Sequence, residues 1–318
     1  MADGFLMTRQ DRIEAALIGA YVADAAALGL HWLYDADRVA ALAPSGLAFR
    51  APDQANFDGY KGVFVHHGKR AGDLSQYGVQ LRVAVQSVAA SGGFDLTEYQ
   101  DRFAATFGPG GSWVGYMDKA TKGTLANLAA DRRAPSGADD DQVPAVAKLP
   151  AVLALSAITA AEIDAAVTAT NANDTALSHA RPLAAMLRCA YGGGDRDACL
   201  TAATEAATGD AEAAIRTALE TPQTKTAVFA GEIGRACPLP QALPVMIHIT
   251  RHASGHRDAV ERNMLAAGDT CGRAICLGAL FGALYGIGPD GVPLDWIGRL
   301  TDIAPLTAEI AALTSSAP

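Results

Sequence analysis

Two short turns carry aspartates with the right surroundings for chemistry. One turn lies at 72–76 and reads GDLSQ, and the other lies at 268–273 and reads GDTCGR, each directly before an apolar run. Carboxylates in such turns can bind a divalent cation or transfer a proton. The structural alternative is that Asp73 and Asp269 only cap helices, because aspartate is a preferred N-cap residue and Gln76 stands at capping-box spacing from Asp73.

A third aspartate interrupts an apolar stripe near the N-terminus. Apolar residues recur at helical spacing from Ile13 to Leu28, and Asp24 falls on the same stripe. A carboxylate that faces a core is costly unless it is paired, hydrogen-bonded or bound to a metal. His31 follows seven residues later and shares the face if the helix continues that far. Asp24 and His31 are therefore candidate site residues, or a buried polar pair that fixes the packing.

Aromatic residues accompany these aspartates in two places. Trp32 follows His31, and the segment 111–118 reads GSWVGYMD. Glycines beside aromatics suit a loop that faces a ligand, and Trp113 and Tyr116 can stack on a base or a sugar ring. The alternative is that these aromatics cover the core. We predict that Trp32, Trp113, Tyr116 and Asp118 contact a substrate.

Two further clusters hold titratable side chains. The run of three aspartates at 139–141 is typical of a solvated loop. The histidines His248, His252 and His256 are four residues apart and could line one helix face. They lack a carboxylate at metal-ligand spacing, which favours a surface or helix-end role over zinc binding.

The elements that must position these residues are predicted to be helices. Apolar periodicity predicts them over residues 11–30, 74–90, 96–107, 116–131 and 274–285, with further helices between. The stretch 43–72 is long and irregular but holds aromatic residues, which indicates that it packs against the rest of the protein. Alternation typical of strands and fixed-period repeats are absent from the sequence. We predict one all-α domain over residues 1–318, a multi-helix bundle with an ordered core of about 11–315.

The composition restricts the possible partners. Half of the 318 residues are hydrophobic, and the net charge is −9 at pH 7. Because basic stripes are absent, binding of nucleic acid or of an anionic membrane surface is disfavoured. The five cysteines are irregularly spaced, which predicts reduced thiols in a cytoplasmic protein. The segment 274–287 is apolar but shorter than the roughly 20 residues that span a bilayer.

Taken in order, these segments resemble the ADP-ribosylglycohydrolase family over nearly the whole chain. Residues 16–25, ALIGAYVADA, look like the family's Gly-Asp-Ala-Leu-Gly helix, and the Asp73 turn sits where the family has Thr-Asp-Asp-Thr. Residues 266–286, AAGDTCGRAICLGALFGALYG, are similar to the family's GGDTDT…GAxxGAxYG ending. The resemblance implies an all-α bundle that cleaves N- or O-glycosidic bonds at C1 of an ADP-ribosyl group, with two Mg²⁺ ions between the aspartate turns.

The sequence departs from this family pattern in both turns. GDL replaces Thr-Asp-Asp at 72–74, and DTCG replaces Asp-x-Asp-[Thr/Asn] at 269–272. Asp73 and Asp269 remain, whereas Cys271 is a soft ligand unsuited to Mg²⁺. The resemblance therefore implies at most one Mg²⁺, held by Asp73 and Asp269, or no metal. The same changes look like the J1-crystallin-like branch of the family.

The resemblance also implies roles for individual residues. Asp140 belongs to a run that lies where other members have a loop close to the ribose. We predict a glycosidic-bond hydrolase of an ADP-ribosyl or nucleoside-like substrate, with Asp73, Asp269, Asp24 and Asp140 as catalytic carboxylates. Arg273 could bind an anionic group of the substrate.

Two other functions remain open at this stage. The first is a catalytically inactive, crystallin-like protein that binds a ligand or serves a structural role. The second is an enzyme of the same fold that acts on another substrate without metal. The protein is expected to be a monomer or a homodimer.

Overall fold

The computed structural model describes residues 7–316, and α-helices account for most of this range. The first eight helices are α1 (Arg9–Ala27), α2 (Ala36–Leu42), α3 (Gln76–Ser91), α4 (Leu96–Phe107), α5 (Lys119–Ala129), α6 (Leu149–Val152), α7 (Ala160–Thr168) and α8 (Asp174–Tyr191). The others are α9 (Arg196–Ala206), α10 (Gly209–Glu220), α11 (Thr226–Ile233), α12 (Leu239–His252), α13 (His256–Leu265), α14 (Thr270–Tyr285), α15 (Leu294–Ile297) and α16 (Ile303–Ser316).

Only short additional elements join these helices. Four 3₁₀-helices occur in the described part of the chain: Leu28–Leu30, Ala43–Ser45, Gln54–Asn56 and Val143–Val146. β-Structure between residues 7 and 316 is limited to isolated bridges, such as the one between Leu33 and Gly62. The predicted all-α fold is confirmed.

Helices α1 and α14 form the centre of the bundle, and residues 15–27 of α1 and 270–283 of α14 are all buried. Glycines allow their backbones to touch. A Cβ added at Gly278 would lie 2.3 Å from the carbonyl oxygen of Gly19, and one at Gly282 would lie 2.2 Å from that of Ala15. Close approach of this kind requires residues without side chains. The central pair therefore brings Asp24 of α1 and the Asp269 turn to neighbouring positions.

The segment Arg9–Leu30 is long and apolar enough to cross a membrane by length and composition. However, 94% of its apolar window is buried inside the protein. A helix that is buried on all sides in a soluble core is also apolar on all sides. The place of α1 in the core therefore explains why its residues are so apolar.

Helix boundaries differ from the predicted ones where side chains cap the helices. Helix α3 begins at Gln76 because Ser75, not Asp73, accepts the first backbone N–H groups. Helix α5 begins at Lys119, three residues later than predicted, because Asp118 caps it. Helix α1 ends at Ala27 and is followed by a 3₁₀ turn, so His31 does not continue the helix face of Asp24.

The predicted histidine face is wrong in one respect. Helix α12 ends at His252, and His256 begins α13. The ring of His256 is buried and its Nε2 lies 3.1 Å from the carbonyl oxygen of Gly19. His256 therefore packs against the core, whereas His248 and His252 stay together on α12, with ring centroids 4.6 Å apart.

Candidate functional site

Asp24 ties α1 to the start of α3. Its fully buried carboxylate accepts hydrogen bonds from the backbone N–H of Ser75 at 2.8 Å and from the Ser75 hydroxyl at 2.5 Å. A Cβ at position 78 would lie 2.3 Å from this carboxylate, so Gly78 provides its space. Burial raises the pKa of Asp24 to about 7, against the opposing effect of the Ser75 hydrogen bonds. The carboxyl group of Asp24 is therefore present in both its neutral and its ionised form near neutral pH.

Asp269 is the most deeply enclosed carboxylate with a free acceptor atom. It caps α14, and its Oδ1 accepts from the backbone N–H of Gly272 at 3.1 Å and lies 3.5 Å from Nδ1 of His31. Its Oδ2 is buried without a hydrogen-bond partner of ordinary geometry among residues 7–316, although the Cys237 thiol, a weak donor, helps to lower the pKa of this carboxylate. Burial raises the pKa of Asp269, although the nearby Arg273 acts in the opposite direction. An unsatisfied buried oxygen is costly and marks a functional candidate.

The predicted anion-binding residue Arg273 is fully buried. Its guanidinium donates to Oδ1 of Asn263 at 2.8 Å and to the carbonyl oxygen of Ala267 at 2.5 Å. Burial lowers its pKa to about 10, so it stays protonated at neutral pH. In this structure Arg273 holds the backbone that leads into the Asp269 turn, and its contacts are with protein groups.

Aromatic rings enclose His31 beside Asp269. Its ring lies 5.1 Å from that of Trp32, 5.2 Å from that of His66 and 5.6 Å from that of Tyr77, measured between centroids. Its Nδ1 accepts from the backbone N–H of Cys271 at 3.2 Å. Burial holds the pKa of His31 well below its usual value, so the ring is neutral.

Trp32 connects this enclosure to the protein surface. Its indole N–H donates to Sγ of Cys237 at 3.1 Å, and its ring meets Tyr116 edge-on with centroids 5.0 Å apart. Tyr116 is 37% exposed, and Val114, two residues before it, is 82% exposed. The loop 111–117 thus covers the buried site, and the predicted residues Trp32 and Tyr116 come together at its edge.

Asp118 and Asp140 form a second acidic part of the site. Asp118 caps α5 and exchanges two hydrogen bonds with the side chain of Gln76, at 2.7 and 2.8 Å. Asp140 accepts from the side-chain amide of Asn171 at 3.0 Å. Burial raises the pKa of both aspartates, and the charge of Asp118 contributes to the shift of Asp140. Asp140 is 5% exposed, so it is not part of a solvated loop.

A buried lysine, Lys148, is connected to Asp140 by a chain of hydrogen bonds through Thr170 and Asn171. The ammonium group of Lys148 donates to the Thr170 hydroxyl at 2.7 Å and to the carbonyl oxygens of Pro144 and Ala145. Thr170 in turn donates to Oδ1 of Asn171 at 2.7 Å. Burial lowers the pKa of Lys148 to about 7, while three acceptors around Nζ favour its protonated form.

Asp73 lies in a different environment. Its carboxylate accepts from the backbone N–H of Arg70 at 2.8 Å and lies 3.5 Å from the Arg70 guanidinium. It lines a surface pocket together with Trp113, whose ring lies 4.0 Å from Nζ of Lys69. The pocket brings the predicted residues Asp73 and Trp113 together, apart from the enclosure around Asp269.

These residues do not fit a pair of magnesium ions. No group of three or more His, Cys, Asp or Glu side chains in the described range could hold a metal ion. Cys271 points its thiol at the carbonyl oxygen of Asp24, 3.6 Å away, and the carboxylate of Asp24 is occupied by Ser75. Hard cations need several convergent oxygen ligands, and the first turn directs its only carboxylate, that of Asp73, at Arg70.

Comparisons with known proteins agree with this geometry. The family model for ADP-ribosylglycohydrolase matches residues 6–317. The chain belongs to the ADP-ribosylglycohydrolase family. A solved structure titled "ADP-ribosylglycohydrolase-related protein complex" superposes on this member with a TM-score of 0.70, at 21% identity, over 98% of this chain and 99% of that one.

Two curated relatives of this family member come from Tripedalia cystophora. Crystallin J1A is 24% identical over 307 residues, which cover 91% of this chain and 92% of the relative. Crystallin J1B is 31% identical over 101 residues, or 32% of this chain and 29% of the relative. The resemblance inferred from the sequence is confirmed at the level of the family.

Sequence reasoning missed several members of the site. His66, Cys237 and Lys148 contact or support the predicted residues but lie in segments without a recognisable motif. Gln76 was considered only as a partner of Asp73 in a capping box, whereas its side chain bonds Asp118. Only the tight Gly62–Gly72 stretch, with two histidines at 66 and 67, offered a signal that could have been used.

Proposed function

We propose that the chain is a hydrolase that cleaves an N- or O-ribosyl bond of an ADP-ribosyl or nucleoside-like substrate with carboxylates and without a magnesium pair. The observation that carries the proposal is Oδ2 of Asp269, a buried oxygen without a hydrogen-bond partner of ordinary geometry among the described residues. The other oxygen of this carboxylate, Oδ1, lies 3.5 Å from Nδ1 of the neutral His31 ring, and the charge of Asp118 contributes to the raised pKa of Asp269.

The environments of the two carboxylates suggest separate roles. Burial raises the pKa of Asp269, which favours its protonated form and the role of general acid. Asp118 accepts from Thr121 and Gln76, and such bonds favour the ionised form and the role of general base. Pairs of carboxylates at a glycosidic carbon are sufficient for hydrolysis in other enzymes.

The proposed step balances with water as the only co-reactant. The bond between C1 and the leaving-group atom breaks as Asp269 gives its proton to that atom. The oxygen of a water molecule forms the new bond to C1, and one water proton passes to Asp118. Transfer of this proton back to Asp269 through solvent restores the starting state.

Substrate entry requires a movement of the covering loop. Tyr116 packs edge-on against Trp32, and the glycine at 115 has a φ of +150° beside the Trp113 ring. Displacement of the Tyr116 ring would expose the face of Trp32, on which a base or ribose can stack. Loops with exposed tips over enclosed sites commonly move in this way.

The test is an activity assay that separates metal from carboxylate chemistry. Peptides with N-linked or O-linked ADP-ribose, and nucleosides, are incubated with the protein in EDTA and in MgCl₂, and the released products are measured by mass spectrometry. We expect release in EDTA that is lost in Asp269→Asn and retained in Asp73→Asn, the matched control. Absence of release from every substrate, or its loss in EDTA, would contradict the proposal.

One observation favours a non-catalytic, crystallin-like role as the second candidate. The carboxylates of Asp24, Asp118 and Asp140 all accept hydrogen bonds from protein groups, which is typical of structural buried aspartates. The similarity to Crystallin J1A over 91% of the chain supports this candidate as well. It predicts no turnover and no thermal stabilisation by ADP-ribose or nucleosides.

A further inference from the structure

Two of the cysteines lie together at the turn that joins α8 to α9. Cys189 stands in the last turn of α8, and Cys199 stands near the start of α9. Both are free thiols in the structure, as are the other three cysteines. The pair takes no part in the aspartate site described above, so its chemistry is independent of the proposed hydrolysis.

A glycine in this turn leaves room for both sulfur atoms. A Cβ added at Gly194 would lie 2.3 Å from Sγ of Cys189, so a side chain here would displace that sulfur. The Cys199 thiol lies 3.9 Å from the carbonyl oxygen of the same glycine. The backbone N–H of Gly194 donates to the carbonyl oxygen of Cys189 at 2.9 Å and closes the turn. Both sulfurs therefore contact one residue that places no side chain between them.

The two thiols also interact with each other. Burial raises the pKa of Cys199, and the Cys189 thiol raises it further through its charge and through a hydrogen bond between the two side chains. A disulfide requires its sulfur atoms to approach to about 2.0 Å. Because the side chains already interact across a tight turn, rotation of the side chains is sufficient for this approach.

The two cysteines differ in their access to solvent. Cys189 is partly exposed, and Gly192 and Gly193 beside it are exposed. Cys199 is fully buried. A small oxidant can therefore reach Cys189 first, while Cys199 needs to reach only the sulfur of Cys189. Redox-sensitive cysteines commonly have this arrangement, in which an accessible thiol lies next to a resolving one.

A guanidinium group lies beside the same turn. A Cβ added at Gly193 would lie 3.7 Å from Nε of Arg12. Arg12 donates to the carbonyl oxygen of Ala283 at 2.9 Å, and this contact leaves its positive charge uncompensated. The charge of Arg12 acts to lower the pKa of Cys199, against burial and the charge of Asp195. Nearby positive charge favours the thiolate, which is the nucleophilic form of cysteine.

We propose that Cys189 and Cys199 form a reversible intrachain disulfide when the protein meets a peroxide. Sγ of Cys189, as the thiolate, attacks one oxygen of hydrogen peroxide. The S–O bond of a sulfenic acid forms as the O–O bond breaks, and the hydroxide that leaves combines with the thiol proton of Cys189 to give water. Oxidation of Cys189 also removes the thiolate charge that raises the pKa of Cys199.

The second step joins the two sulfurs. Sγ of Cys199 attacks Sγ of Cys189, the S–S bond forms, and the S–O bond breaks. The leaving hydroxide takes the thiol proton of Cys199 and becomes a second water. Two thiols and one peroxide thus give one disulfide and two waters, with two electrons passing from sulfur to the peroxide. A dithiol such as dithiothreitol reverses the reaction by thiol–disulfide exchange.

The experiment maps the cysteines of the full chain after treatment with hydrogen peroxide. The reduced protein is oxidised while folded, its remaining thiols are alkylated in urea, and the chain is cut with trypsin. Cleavage after Arg188, Arg196 and Arg216 places the two cysteines on the separate peptides 189–196 and 197–216. We expect these peptides to be linked, the intact mass to fall by two hydrogen atoms, and dithiothreitol to reverse both changes.

Variants test the order of the two steps. Cys199→Ser is expected to leave Cys189 as a sulfenic acid that dimedone traps, and Cys189→Ser is expected to form no disulfide and to react more slowly. Cys276→Ser, which removes a buried cysteine from α14, is the matched control and is expected to give the linked peptides as the wild type does. Thermal unfolding establishes that each variant is folded, and the peptide map of the wild type requires no variant.

The outcome that would overturn the proposal is also specific. It fails if peroxide leaves the peptides 189–196 and 197–216 unlinked, or links them no more than any other pair of cysteines in the folded chain. It also fails if the link joins two chains, which a gel without reductant reveals as a dimer. Oxidation in urea provides the comparison, because the preference for Cys189 and Cys199 is expected to be lost when the helices are unfolded.

Discussion

The two Gly-Asp turns share a sequence pattern and a backbone shape, but their aspartates have opposite surroundings. In the turn at 268–269 the carboxylate is fully buried, caps α14 and lies beside His31. In the turn at 72–73 the side chain is 16% exposed and is bound to Arg70. The difference arises from the next residues, because Ser75 caps α3 and turns to Asp24, which displaces Asp73 from the cap position.

The largest expected effect concerns the arginine that supports each turn. Arg273→Met leaves Oδ1 of Asn263 and the Ala267 carbonyl buried without their donors, so we expect a loss of about 3–5 kcal/mol in the free energy of unfolding. Arg70→Met removes only an exposed pair with Asp73, which is expected to cost about 1 kcal/mol or less. Urea unfolding of both variants measures the contrast, and equal losses would contradict it.

The glycines should respond alike, because the backbone of the two turns is alike. Gly72 and Gly268 have φ values of +92° and +73°, and an added Cβ would lie 2.1 Å from the carbonyl oxygen of Arg299 and 2.0 Å from that of Arg235. We expect Gly72→Ala and Gly268→Ala each to lower the free energy of unfolding by about 2–4 kcal/mol.

A control for this prediction is Gly93→Ala, since a Cβ there meets nothing within 4 Å. It is expected to change the stability by about 1 kcal/mol or less in either direction. A large loss at Gly268 with none at Gly72 would show that the turns differ in backbone strain as well as in side chains. Thermal and urea unfolding provide the measurement.

The smallest expected effect is a pH dependence at Asp24, which connects the two turns through Ser75 and Cys271. Its pKa is raised from 3.8 to about 7 in the folded state. The folded chain therefore holds more protons than the unfolded chain between these values, and stability falls as the pH rises from about 4 to about 7. Asp24→Asn removes this titration.

We expect the stability difference between wild type and Asp24→Asn to change by about 2–3 kcal/mol between about pH 5 and pH 7.5, in the direction that disfavours the wild type at higher pH. Urea unfolding at several pH values measures it. Parallel stability curves for the two proteins would mean that Asp24 is ionised throughout this range, held so by the two Ser75 hydrogen bonds.

The proposed site shows how far a linear pattern can predict a three-dimensional arrangement. The sequence placed Asp24, His31, Trp32, Tyr116 and Asp269 among the candidates, and the structure gathers these around one enclosure. Asp73 and Trp113 were grouped with them, yet they share a separate surface pocket. Whether these residues bind or act on a substrate stays a prediction, which the activity assay addresses.

Contacts that sequence reasoning missed join residues that are distant in the chain. Gln76 holds Asp118 across 42 positions, and Cys237 accepts from Trp32 across 205. Such pairs leave no spacing pattern, because the packing of helices decides which side chains meet. The buried Lys148 is a similar case, since a lysine is expected at the surface unless its ammonium group finds several acceptors.

The sequence by itself determined the all-α class, the family, most helix positions and the loss of neighbouring ligands in the two turns. These properties depend on local periodicity, capping residues and the identity of single side chains. Only the tertiary structure decided that Asp269 is enclosed while Asp73 is not, and that the buried guanidinium of Arg273 donates to the backbone beside the Asp269 turn. The physical reason is that burial and hydrogen-bond partners come from helices packed together, above all the close contact of α1 with α14.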